Sequence, residues 1–316
     1  MIGGVAATLV KLAPVLIVFG AGAVFGARKV LASDAAKAFS DFAFLFAIPA
    51  YLFPKLYHAN LGALFAPAAV GGYAATAIVT LILVAVFGKW VVGADASGVA
   101  LRCMCAVQVN AAYFALPVLD FLFGDASAIF PIVLFQVCVL TVIVLTVLEH
   151  GRSDQEAGEG RGVLRAVGSA LSTPVVVACT AGVLANLVNL RVPEPLLEGL
   201  EFAGAAAAPV ALFALGLHVG TFGMRWRPVT RDEYLLIAVK CLVFPLLMWA
   251  SLRYVFGLEG TTLAMFVVIA AMPAPQNAFI YAQRYDGEID LVAAAVVKST
   301  VLAAALLPLW MLALAT

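Results

Sequence analysis

Charge is what this 316-residue chain has least of: only 11% of its residues are Asp, Glu, Lys or Arg, whereas a soluble domain carries about a quarter. With 65% of the residues hydrophobic and a mean hydropathy of +1.09, too few polar side chains exist to cover a water-soluble fold of this length. Histidine is as scarce. His58, His150 and His218 are far apart, none in a His-Glu-x-x-His spacing, and Cys103-x-Cys105 lacks a second ligand pair. That argues against metal catalysis. No nucleophile with a neighbouring base and no paired acids stand out either, which argues against an intramembrane enzyme. The five cysteines, Cys103, Cys105, Cys138, Cys179 and Cys241, all fall in apolar segments; an odd number placed so reads as buried thiols, not as a disulfide framework. The formal net charge of +0 gives no basic surface for nucleic acid.

What the chain has is long apolar runs. A helix needs roughly 17–25 mainly apolar residues to cross the hydrocarbon layer of a bilayer. Windows of that kind fall at 10–27, 39–56, 61–87, 97–119, 128–148, 168–190, 203–223, 235–256, 261–282 and 291–315. The first runs past signal-peptide length into Arg28 and Lys29 without a cleavage context, so it reads as a retained first helix. The most polar stretch, HGRSDQEAGEGRGVLR at 150–165, lies almost midway and has no apolar periodicity. It separates five spans from five.

The basic residues supply an orientation. One set of loops receives Arg28, Lys29, Lys37, Lys89, Arg152, Arg161, Arg165, Arg225, Arg227, Arg231 and Arg284; the other receives only Lys11, Lys55, Arg191 and Arg253. By the positive-inside rule the first set is cytoplasmic, and both termini face outward. Two consecutive five-span units then enter the membrane in opposite senses. The expected fold is an all-α integral membrane protein of ten transmembrane helices, built as two inverted five-helix repeats, 1–149 and 166–316, joined by a cytoplasmic linker at 150–165. Inverted repeats that meet at interrupted helices near the midplane are an architecture of secondary transporters.

The interruptions are visible. Span 4 reads SGVALRCMCAVQVNAAYFALPVL, with Gln108, Asn110 and Pro117; span 9 reads TTLAMFVVIAAMPAPQNAFIYAQ, with Pro273, Pro275, Gln276 and Asn277. Proline lacks the amide donor and clashes with the preceding turn, and hydrocarbon does not tolerate the freed backbone groups unless protein, water or ligand satisfies them. One Pro–Asn pair reads as ordinary helix cross-linking; two in corresponding spans mark broken crossover helices and a substrate site. Pro14 and Pro174, and Pro49 and Pro209, extend the match between halves.

Three cations lie within the spans. Lys298, followed by Ser299 and Thr300, sits roughly 11 Å into span 10 at about 1.5 Å per residue. It is either a counter-charge for a bound anion or a side chain snorkelling to the interface. Arg102 and Lys240 read as interfacial, early in spans 4 and 8. Asp41 and Asp120 read as solvated helix ends. Gln136 in span 5 either lines the cavity or cross-links helices. Gly216-Leu-His218-Val-Gly220 reads as a close helix contact rather than a glycine-rich site.

Three stretches, FAFLFAIPAYLF in span 2, VNAAYFALPVL with FLFGDAS in span 4, and AAMPAPQNAFIYAQRYDGEIDLVAAAVVKSTVLAAALLPLW across spans 9 and 10, resemble the auxin efflux carriers, a family with plant PIN proteins and bacterial malonate-type transporters. Its broader fold is similar to that of bile acid sodium symporters. The resemblance implies a scaffold of spans 1, 2, 6 and 7 that dimerises, and a transport domain of spans 3–5 and 8–10 that moves against it in an elevator-type cycle. It also implies that Asn110 and Pro117 mark one crossover and Pro273, Pro275 and Asn277 the other, where a carboxylate binds. The expected function is secondary transport of a small mono- or dicarboxylate across the plasma (inner) membrane, with no cofactor and with a proton or sodium as coupling ion. A channel, a ligand-sensing receptor and an intramembrane enzyme are the alternatives; saturable, gradient-driven uptake separates a carrier from each.

Overall fold

In an apolar solvent a backbone must satisfy its own hydrogen bonds, which a helix does within one segment. The computed structural model describes residues 2–31, 35–59, 61–64, 66–150, 168, 172–221, 230–285 and 288–314, and all regular structure among them is helical. The linker expected at 150–165 lies outside the described residues except for His150, which ends a helix.

Apart from the single turn Leu61–Leu64, the helices in order are α1 (Ile2–Ala27), α2 (Ala35–Tyr57), α3 (Pro67–Val92), α4 (Ala96–Val107), α5 (Leu116–Phe123), α6 (Ile129–His150), α7 (Pro174–Leu187), α8 (Glu194–Thr221), α9 (Arg231–Val255), α10 (Gly260–Ala270), α11 (Asn277–Arg284) and α12 (Ile289–Leu314). Seven helices among the described residues are long and apolar enough to cross a membrane, counting α4 and α5 as one, and three apolar segments are shorter: Ala13–Ala27 of α1, α7 and α10.

Several prolines are absorbed without breaking a helix. Five-residue π turns occupy Ala43–Ala47, Ala111–Ala115 and Val239–Val243, and Pro49, Pro117 and Pro245 each follow two residues later. A proline ring collides with the carbonyl four residues back and donates nothing to it; widening the preceding turn moves that carbonyl aside. Pro117, expected at the break of span 4, is therefore accommodated inside a helical run, and the interruption lies upstream at Gln108–Asn110.

The chain forms two compact units. The first comprises Met1–Phe65, Ala111–Phe130 and Ser172–Arg227 and is assembled by backbone contact. A Cβ on Gly216 would lie 2.0 Å from the Phe19 carbonyl oxygen, one on Gly220 2.1 Å from that of Ala23, and ones on Gly22 and Gly26 2.3 Å from those of Phe213 and Leu217. Helices α1 and α8 thus touch along two Gly-x-x-x-Gly faces, and the Gly216–Gly220 stretch is a packing surface. Elsewhere in this unit the Asn186 amide donates to the carbonyls of Leu56, Tyr57 and Ala59 at 3.2, 2.7 and 2.9 Å. It closes the C-terminus of α2, whose last carbonyls have no helical partner. The Asp120 carboxylate, expected at a solvated helix end, accepts from the Tyr51 hydroxyl.

The second unit comprises Ala66–Asn110, Pro131–Leu171 and Pro228–Thr316. Its centre is α4, where Gly98 and every residue from Ala100 to Val107 are buried, as expected of a helix apolar all round. Leu101, Met104 and Cys105 pack with Leu140, Val144 and Leu148 of α6, Ala278 and Ala282 of α11, and Val292 and Val296 of α12. Cys138 is the exception among the thiols expected to be buried: it is exposed, in a π turn between buried Gln136 and Leu140.

Candidate functional site

The two interruptions meet. The N–H of Asn110, the last residue of the break after α4, donates to the carbonyl of Pro273, within the break after α10, at 2.9 Å. Asn110 is 3% exposed. Two chain segments 163 residues apart, by the difference of those numbers, are joined where neither is helical.

Several amides freed at the breaks have identified acceptors. At the first break Gln108 turns to an extended conformation and its N–H still reaches Met104. The Val109 N–H donates to Oε1 of Gln136 at 2.5 Å, and Nε2 of Gln108 donates to the Thr141 hydroxyl at 3.3 Å. At the second, Pro273 and Pro275 have no N–H to satisfy, and the Ala274 N–H between them donates to the Ser299 hydroxyl at 3.1 Å. The open carbonyl of Ala270, at the end of α10, accepts from Lys240 at 3.5 Å. An unsatisfied backbone group in hydrocarbon costs several kcal/mol; Gln136, Ser299 and Lys240 are placed to offset that cost.

The remaining expected site residues distribute as follows. Pro273 and Pro275 are buried, Gln276 is half-buried, and Asn277 is exposed at the first turn of α11. The Thr300 hydroxyl donates back to the Val296 carbonyl at 2.7 Å within α12. Pro117 is buried in α5 and belongs to the first unit, whereas the other expected site residues belong to the second.

The electrostatics of the second unit were hidden from the sequence. Lys298 pairs with Glu233 at 2.6 Å. Arg102 pairs with Asp232 at 2.9 Å and Glu288 at 2.5 Å. Two helix starts supply these acids: Thr230 caps α9 by accepting from the Glu233 N–H at 3.2 Å, and Glu288 lies just before α12. Acids near a helix N-terminus are favoured by the helix dipole. The position facing them on α4 is a glycine, Gly98, and a Cβ there would lie 2.7 Å from Glu288 Oε1 and 3.0 Å from Arg102 Nη1, so a larger residue would push these side chains aside.

Arg102 and Lys240, expected at the interface, are both buried in protein, at 7% and 1% exposure. The misplacement of Lys240 has a simple cause. The apolar window begins at 235, but the Thr230-x-x-Glu233 cap starts α9 at Arg231, and that sets Lys240 roughly 14 Å along the helix. The capping pattern was the available signal.

Comparison with known proteins gives this constellation its context. The family model described as membrane transport protein (Mem_trans) matches residues 7–311. A putative malonate transporter of Rhizobium meliloti (strain 1021) is 26% identical over 132 residues, which is 42% of this chain and 41% of that protein; the match therefore spans about two fifths of that relative. The uncharacterized transporter YfdV of Escherichia coli (strain K12) is 23% identical over 279 residues, 87% of each chain, and its Shigella flexneri counterpart matches equally. The chain accordingly belongs to the Mem_trans family of membrane transport proteins, related to auxin efflux carriers and malonate transporters, and is a multi-pass membrane transporter rather than an enzyme.

Proposed function

We propose that this transporter carries a small organic anion, a mono- or dicarboxylate of malonate or auxin type, by secondary transport. The observation that carries the reading is the 2.9 Å bond from the Asn110 amide to the Pro273 carbonyl, which brings two helix interruptions to one place inside a single unit. Interrupted helices present amide donors and dipole ends that suit a carboxylate. Asn110, Gln276 and Asn277 are assigned to contact the anion, with Pro273 and Pro275 shaping the second crossover. Gln136 and Ser299 hold the breaks open, Thr300 lies beside them on α12, and Lys298, with Glu233 as partner, sets the local charge. The malonate in one relative's name supports the substrate class.

The wider reading is ten spans in two inverted five-helix repeats, with both termini outside the cytoplasm in the plasma (inner) membrane. Spans 1, 2, 6 and 7 form a dimerising scaffold and spans 3–5 and 8–10 an elevator-type transport domain. Its support is that α1, α2, α7 and α8 share the first compact unit while α3, α4 and α9 to α12 share the second; Ala111–Phe130, the end of span 4 and the start of span 5, goes with the first. The test is uptake of labelled malonate and indole-3-acetate into proteoliposomes. Saturable uptake that collapses with the ion gradient is expected. Binding without flux would make the protein a receptor, and non-saturating flux a channel.

A further inference from the structure

Three cations lie inside the spans, and two of them already have acids. Lys298 is held by Glu233 and Arg102 by Asp232 and Glu288. Lys240 is the most enclosed, at 1% exposure, and it makes no ion pair among the described residues. Its surroundings are the Ala270 carbonyl at 3.5 Å, the face of Phe244 with its ring centre 4.9 Å away, and two thiols, Cys105 on α4 and Cys241 on its own helix. From α12 the neighbouring group is Ser299, whose carbonyl lies 3.9 Å from the Cys241 sulfur. The Ala270 carbonyl belongs to the break that also holds Pro273, the acceptor for Asn110.

An ammonium has three protons to place, and one long bond to a carbonyl with the face of an aromatic ring satisfies only part of that need. Without an anion the enclosed charge is costly, whereas the neutral amine is not. A carboxylate arriving at the break changes the balance, because it supplies the missing counter-charge in a medium where the pair interacts strongly.

Resting on the carboxylate reading above, we infer that Lys240 is both the counter-charge of the anion site and the carrier of the coupling proton. The Nζ lone pair of the neutral amine takes one proton from the buffered bulk solution, whose acid component is left deprotonated, as one carboxylate enters, giving an ammonium–carboxylate pair. Release reverses both steps, so one proton travels with each anion and the coupling ion is the proton. Lys298, neutralised by Glu233, takes no part in this exchange.

Calorimetric titration of the purified transporter with malonate and with indole-3-acetate, at one pH in two buffers of different ionisation enthalpy, reads proton uptake directly. Wild type is expected to take up about one proton per anion bound. Lys240→Arg keeps its charge at all working pH values and is expected to bind the anion with no uptake. Lys240→Met is expected to lose roughly 30-fold or more in affinity. Trp310, whose indole donates to the Cys241 carbonyl at 3.4 Å, reports by its emission whether each variant is folded around position 240. Binding by wild type without proton uptake, or uptake that persists in either variant, overturns the role of Lys240 and leaves the carboxylate site standing. Failure of wild type to bind either anion overturns the carboxylate reading and the inference with it.

Discussion

The two compact units solve the same problem, packing helices in an apolar solvent, by opposite means. The first brings backbone against backbone at glycines: Gly22, Gly26, Gly216 and Gly220 leave α1 and α8 no room for a side chain between them. The second buries polar groups and lets them replace missing backbone bonds, with Gln136, Ser299 and Lys240 at the two breaks and Arg102 and Lys298 in ion pairs. Glycine contacts have one close-packed arrangement and fail when it is disturbed. Side-chain hydrogen bonds and charges can exchange partners, including a ligand, and a transport site must do so. A stiff element and an adjustable one are the division of labour that the proposed scaffold and transport domain require.

Three substitutions put numbers on this contrast. Gly216→Val should be the most damaging, since its Cβ would be driven into a backbone carbonyl at 2.0 Å; we expect a loss of about 3 kcal/mol or more, read as failure to purify a monodisperse protein. If that variant is as stable as wild type, the glycine face is not what holds the first unit. Arg102→Met should come next, leaving Asp232 and Glu288 without their cation. Because both acids are about one third exposed, we expect about 2 kcal/mol rather than the larger cost of a fully buried pair, seen as a lower thermal midpoint that high salt partly restores. Gln136→Leu should cost about 1–2 kcal/mol by orphaning the Val109 amide, and it should also weaken malonate binding, because that amide sits beside Asn110. A stability loss with binding untouched would make Gln136 purely structural.

Much of this was readable from one sequence, for physical reasons that also explain the misses. Apolar run length and the prolines of 273–275 gave helices and the second break, because hydrocarbon leaves so few backbone options. The first break was located through Gln108 and Asn110; Pro117 pointed seven residues too far along, since a π turn absorbs it. Ion pairs were illegible because the partners of Arg102 and Lys298 lie 130 and 65 residues away, and no local pattern links them. Lys240 was misjudged by taking the start of hydrophobicity for the start of the helix. The cap at Thr230 shows that α9 begins with a charged turn.

The central claim is that the joined breaks bind a carboxylate, and Asn277 tests it most directly because its side chain is exposed and its removal should cost the fold less than about 0.5 kcal/mol. The measurement is the thermal midpoint of wild type and Asn277→Ala as malonate is raised. A bound ligand stabilises by mass action, so the wild-type midpoint should climb with malonate, while the variant should start at the same midpoint and stay there. An equal climb in both proteins would contradict the account.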